Sequence, residues 1–291
     1  MILPNFSSSQ TFVDPVNLST IYRATTYRDS LATKNTTRAS VLGLLFPKTF
    51  KNGNVLIIRL NSEMVHSEAI GQSSTHTADL YSFALPVGCQ LLSKNKKWNA
   101  LILGIPKLSS DLNDDMSKDL QFGGSVLFSR IKSEQLKIKF GVYYNREFFG
   151  NVIIPLLGID WNPTPHFFMY GTLPNNFRFE IKWNERIYSG FGIRFFQRSY
   201  RLSAANNNNY VRTRENLLKL YTDVFIFKKL LFFAEAAYGI NYSFLEYSDS
   251  EQPGPVDPVY TPVQNGFLVN VGIALRIRKD YDHWIKYNDD K

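Results

Sequence analysis

The sequence predicts an all-β fold: a single closed antiparallel up-and-down transmembrane β-barrel of about fourteen strands, with about twelve as the alternative. Three observations carry this expectation. Apolar and polar residues alternate with a period of two in run after run. Short turns and long polar connections alternate along much of the chain. The polar faces mix full charges with Gly, Ala, Ser and Asn, while the apolar faces carry aliphatic residues and, toward the strand ends, aromatic ones.

The expected strands fall near 16–27, 37–47, 54–68, 76–92, 97–107, 119–131, 135–145, 151–161, 165–172, 176–183, 187–200, 215–227, 230–245 and 265–278. The first two carry the weakest alternation, and losing both gives the smaller count. The stretch FRFEIKW sets Phe177, Phe179, Ile181 and Trp183 on one face and Arg178, Glu180 and Lys182 on the other. In 136–144 the wet face holds Lys137 and Lys139. In 187–195 Ile193 and Phe195 oppose Arg194. Lys219, Tyr221 and Asp223 share a face in 218–227, and Glu235 lies on the wet face of 232–244. Near the C-terminus Val269, Val271 and Ile273 oppose Arg276 and Arg278.

Short turns are expected at 93–97, 132–135, 162–165, 184–186 and 228–229. Longer polar connections span 108–119, 203–215 and 248–264. In a meander this places short turns at one end and long loops at the other. The link PNN at 174–176 departs from that rule, being tight where a loop is expected. The whole chain, 1–291, reads as one barrel domain, with 1–15 as an N-terminal segment and 279–291 as a periplasmic tail outside the barrel.

A soluble sandwich also alternates, but its inner face needs dense aliphatic packing. Here small residues beside Arg, Lys and Glu suit a confined wet interior. Lipid leaves no partner for free backbone groups, so a sheet within it must close on itself. Phe177, Phe179, Ile181, Trp183, Ile193, Phe195, Val269, Val271 and Ile273 are therefore expected to face lipid. Arg59, Lys137, Lys139, Asp160, Arg178, Glu180, Lys182, Arg194, Arg198, Lys219, Asp223, Glu235, Arg276 and Arg278 are expected to line the lumen. That lumen has two readings: a positive field that draws in anions, or a cross-strand salt-bridge network that fills and stiffens the barrel. The second is preferred, and Asp160 is expected to pair with a lumen Arg or Lys.

Other classes find little support. The net charge of +8 is scattered, with no basic stripe for nucleic acid. The single cysteine, Cys89, excludes an internal disulfide and a cysteine-rich zinc site. The apolar run VIIPLLGI at 152–159 is too short for a membrane helix. No metalloprotease, redox-cysteine or phosphate-loop motif occurs, so no enzyme activity and no cofactor are expected. A lipid hydrolase would need a His-Ser-carboxylate cluster; His76 near Ser73, Ser74 and Asp79 has no distinctive spacing.

The run PLLGIDWNPTPHFFMYGTLPNNFRFEIKWNERIYSGFGIRFFQRSYRL, 155–202, resembles a family of bacterial outer-membrane β-barrel proteins of unknown function. The similarity rests on Pro155 to Trp161, on Leu173 and Pro174, on Asn184 to Arg186 and on Ser199 to Leu202, and spans about 76–245. It implies fold and location, and assigns no site residues. The expected role is a passive pore or small-molecule transporter of the cell outer membrane, with outer-membrane lipid as the surrounding partner. The alternative is a non-conducting accessory subunit of a larger outer-membrane complex. The start MILPNFSSSQ does not read as a signal peptide: either a signal is removed or missing from this numbering, which is the expectation here, or the protein stays in the cytoplasm. The end KDYDHWIKYNDDK departs from the terminal aromatic strand residue common in such barrels; Tyr281 and Trp284 are candidate anchors there.

Overall fold

The computed structural model describes residues 12–26, 34–70, 75–247 and 265–278. Its strand segments are β1 (Phe12–Thr26), β2 (Lys34–Thr49), β3 (Val55–Ile70), β4 (Thr75–Ala84), β5 (Val87–Leu92), β6 (Trp98–Ser110), β7 (Leu120–Ile131) and β8 (Leu136–Glu147). They continue through β9 (Gly150–Thr164), β10 (Phe167–Leu173), β11 (Asn176–Lys182), β12 (Ile187–Arg201), β13 (Tyr210–Phe225), β14 (Leu230–Tyr247) and β15 (Phe267–Arg278). β4 and β5 are two halves of one stave, interrupted at Leu85 and Pro86, and both halves pair with β3 and β6. Proline lacks a donor N–H, which explains the break. Fourteen staves result, each antiparallel to the next in sequence, and β1 pairs with β15 to close the ring. β1 starts at Phe12, earlier than alternation suggests. Residues 1–11 of the expected N-terminal segment and the tail 279–291, with Tyr281 and Trp284, lie outside the described residues.

The period-two pattern becomes two surfaces. On β15 Phe267, Val269, Val271, Ile273 and Leu275 are exposed, while Leu268, Asn270, Ala274, Arg276 and Arg278 are buried. Exposure of single large apolar side chains reaches 67% at Leu157 and 73% at Phe267. Exposed apolar residues recur on nearly every stave, among them Leu18, Met64, Ile102, Phe140, Leu220 and Phe232. Water would not tolerate a belt of this extent, whereas lipid does. Ile181, Trp183 and Phe195 are exposed as well, and Phe179 and Ile193 are partly so. Phe177 is buried, its ring edge-on to Phe179 at 5.2 Å.

Two departures from a regular cylinder shape the interior. The first is a short hairpin. β10 and β11 have seven residues each, beside fifteen each in β9 and β12. Their last rungs are Leu173 with Leu157 and Asn176 with Arg194. Residues 150–156 of β9 and 195–201 of β12 therefore have no stave between them. The tight link at 174–176 noted in the sequence is the top of this hairpin.

The second departure follows from the first. With no neighbour on that edge, upper β12 leans into the barrel. Arg201 forms a parallel bridge to Ser110 of β6. Ser199 has the parity of the outward Phe191 and Phe195, yet its Oγ donates to Glu147 Oε2 at 2.6 Å and accepts from Gln121 Nε2 at 3.0 Å. Glu147 and Gln121 stand on the inner faces of β8 and β7. The upper β12–β13 hairpin thus crosses the bore, its outer side against the far wall.

Candidate functional site

The lumen gathers the ionisable side chains into tiers. At the turn end Arg276 donates to both oxygens of Asp14, Nε at 2.7 Å and Nη2 at 2.8 Å, and its Nη1 donates to Asp223. Arg278 Nη2 donates to Glu180 at 2.5 Å. Glu180 also accepts from the hydroxyls of Tyr170 at 2.9 Å and Tyr221 at 3.3 Å. Aromatic faces support the guanidinium groups: Arg276 lies 3.6 Å from the Phe12 ring centroid and Arg278 3.8 Å from that of Tyr188. On the adjoining wall Lys139 Nζ donates to Asp160 at 2.5 Å, beside the buried Lys137.

In the middle tier Glu235 accepts from Arg178 Nη2 and Lys219 Nζ, both at 3.0 Å, and from Asn270 at 3.1 Å. Small residues give these long side chains room. A Cβ at Gly192 would stand 3.1 Å from Lys219 Cε and 3.5 Å from Arg178 Cγ. Higher up, Glu215 accepts from Arg23 and Arg194, each at 3.0 Å, and Arg198 pairs with Glu63. On the opposite side Glu147 accepts from Lys107 at 2.8 Å, from Asn145, and from the Ser199 backbone at 2.9 Å.

Above the charged tiers an apolar cluster occupies the bore. Tyr200, Leu202 and Val211 of the inward-leaning hairpin pack against Ala39, Val65, Leu80, Tyr242 and Phe244 from other walls. A void of about 30 Å³ remains at the lower edge of this cluster, bounded by Arg23, Glu63, Arg198 and Tyr200 among others. That is space for little more than a water molecule.

A polar latch holds the hairpin tip at the loop end. Arg201 Nη1 donates to Asp114 at 3.0 Å and to Asp119 at 3.2 Å. Asp111 accepts from the Ser203 backbone at 3.0 Å, the Asn113 backbone at 3.2 Å and the Asn206 amide at 3.2 Å. Burial pushes the Asp111 carboxyl up, but these hydrogen bonds outweigh it and hold the group below the ordinary carboxylate range.

Most residues expected in the lumen meet there as ion pairs. Two do not join these cross-lumen pairs: Arg59 donates to Asn61 at 2.8 Å, and the buried Lys182 pairs at 2.9 Å with Glu185 in a turn. Sequence reasoning missed Asp14, Arg23, Glu63, Lys107, Glu147 and Glu215. Parity within the expected strand 54–68 already put Glu63 on the face of Arg59; Asp14 lay ahead of the expected first strand. Asp79 is engaged by His66, whose Nδ1 lies 2.7 Å away. Ser73, Ser74 and the His76 side chain lie outside the described residues. Among the described residues no group of three His, Cys, Asp or Glu is placed to hold a metal ion.

Comparison with solved structures finds similar chains at low identity. The COG4313 outer membrane channel from Pseudomonas putida F1 matches with 8% identity and a TM-score of 0.47, over 95% of this chain and 100% of that one. The TodX deltaS2S3 mutant monoaromatic hydrocarbon channel matches with 11% identity and a TM-score of 0.44, over 90% and 89%. The NanC porin matches with 8% identity and a TM-score of 0.38, over 90% and 100%. No curated protein sequence matches. Residues 76–250 match one protein family, described as a domain of unknown function, and the chain belongs to that family, DUF6268.

Proposed function

We propose that this barrel sits in the outer membrane of a Gram-negative bacterium and works as a gated small-molecule transporter. The observation that carries the reading is the inward-leaning β12–β13 hairpin, which fills the upper bore with apolar side chains. Its seam to the far wall is one backbone bridge plus side-chain contacts, not a continuous ladder. An element attached this way opens at lower free energy than the staves around it. Below the plug the bore is lined by the paired charges of the lower tiers.

Planar-bilayer recording of the purified protein tests this. The wild type is expected to remain closed with rare openings. Tyr200→Ala combined with Leu202→Ala removes two plug side chains and is expected to give sustained current. A folded double variant that passes no current at any salt concentration argues against transport. Stable co-purification with a larger envelope assembly, together with that silence, would favour the accessory-subunit reading.

A further inference from the structure

The gap beside the short hairpin holds a cavity of about 250 Å³. Its walls come from opposite surfaces of the barrel. On one side stand Val152, Ile154 and Leu156 of β9, which share the inward parity of Asp160. On the other stand Phe195 of β12 and Arg214 of β13, which share the outward parity of Phe191 and Leu220. A space bounded by the inner face of one stave and the outer face of another lies in the break in the wall between them. Pro174 and Asn175, at the top of the short hairpin, line it from below.

Depth and charge point to an occupant. Going up β13, the outer face changes from Leu220 and Leu218, both exposed, to Asn216, Arg214 and Arg212. Asn216 is the cross-strand partner of Phe195, so this change falls at the level of the gap. On its β13 side the gap therefore lies where an apolar outer face gives way to a polar one, as at a headgroup boundary, while on its β9 side Ile153 keeps the outer face apolar. Free strand edges are tolerable at that depth because water reaches them. Arg212 is occupied, its guanidinium 4.0 Å from the Phe149 ring centroid. Arg214 is exposed and forms no ion pair with a carboxylate among the described residues. Glu147, also at the cavity, has its charge engaged by Lys107 at 2.8 Å.

We infer that this gap is a lateral binding site for a single-chain amphiphile with an anionic head, its tail against Val152, Ile154 and Leu156 and its head at Arg214. The inference names the class of small molecule for the proposed transporter, and in that respect rests on that reading. The site itself does not depend on conduction. A phosphorylated membrane lipid fragment and a free fatty acid present the same chemistry.

Native mass spectrometry of the full chain released from an uncharged detergent tests it, with dodecyl phosphate, dodecanoate and dodecanol as probes. One anionic probe per chain is expected, bound at least tenfold more tightly than dodecanol. Arg214→Gln is expected to erase that preference. Ile154→Trp, which fills the cavity and leaves the charge in place, is expected to block all three probes. Preference for the phosphate points to a phosphorylated lipid, and preference for the carboxylate to a fatty acid. Equal binding of dodecanol, or unchanged binding in both variants, overturns the site. Binding without current in the bilayer experiment would remove the transporter reading and leave the site intact; current without binding would do the reverse.

Discussion

Glu180 shows how much one side chain can govern in this interior. It is fully buried and holds an arginine and two tyrosine hydroxyls from three other staves. Removing one member of a buried ion pair leaves an uncompensated charge behind. Glu180→Ala is therefore expected to cost about 3–5 kcal/mol, read as a lower denaturant midpoint for unfolding from detergent. A loss under about 1 kcal/mol would mean that water reaches Arg278 and screens it. Alternation alone revealed which way Glu180 points, because side chains on a strand have only two directions to choose from. It could not reveal that Arg278 is the partner. The two residues are 98 positions apart, and that encounter depends on the circumference of the closed ring.

Among elements, the β12–β13 hairpin departs most from what the sequence made legible. Its parity reads as an ordinary pair of staves, and through Arg194 and Lys219 it behaves as one. Beyond that point Ser199 bonds Gln121 and Glu147 across the bore. No local pattern encodes this, since the cause is a missing neighbour: the two seven-residue staves beside it. The hint was the tight link at 174–176. The latch at the hairpin tip should respond to acid. Because the Asp111 carboxyl is held below its ordinary value, its contribution is complete above about pH 4 and fades as pH falls through the lower folded-state value. The hydrogen-exchange protection factor at residues 202–209, which is the intrinsic rate divided by the observed rate at the same pH, is expected to fall on acidification below that point. In Asp111→Asn it should already be low at neutral pH, with a weaker dependence on acid. Protection that persists unchanged in the variant would assign the latch to Arg201 with Asp114 and Asp119 instead.

At the scale of the molecule two solvents, one on each side of a single sheet, organise everything. Leu220 lies in the outer belt at 66% exposure, directly followed in sequence by the lumen residue Tyr221. Leu220→Arg is expected to destabilise the barrel in lipid vesicles by about 2–4 kcal/mol if the position lies near the midplane, and by about 1 or less near an interface. Urea titration of the vesicle-inserted protein measures both the size of the effect and the depth of the residue. The fold class and the count of fourteen staves were legible because lipid exposure enforces strict alternation over long runs, including the weak runs that became β1 and β2. The ring's unequal height was not legible, because it depends on where neighbouring staves stop relative to one another.

That unequal height gives the molecule a direction. Two of the fourteen staves end partway up, so a cross-section near the turns cuts all of them and one near the loops cuts twelve at most. The ring therefore counts more staves among its turns than among its loops, where the β12–β13 hairpin stoppers it, so its two ends are built differently.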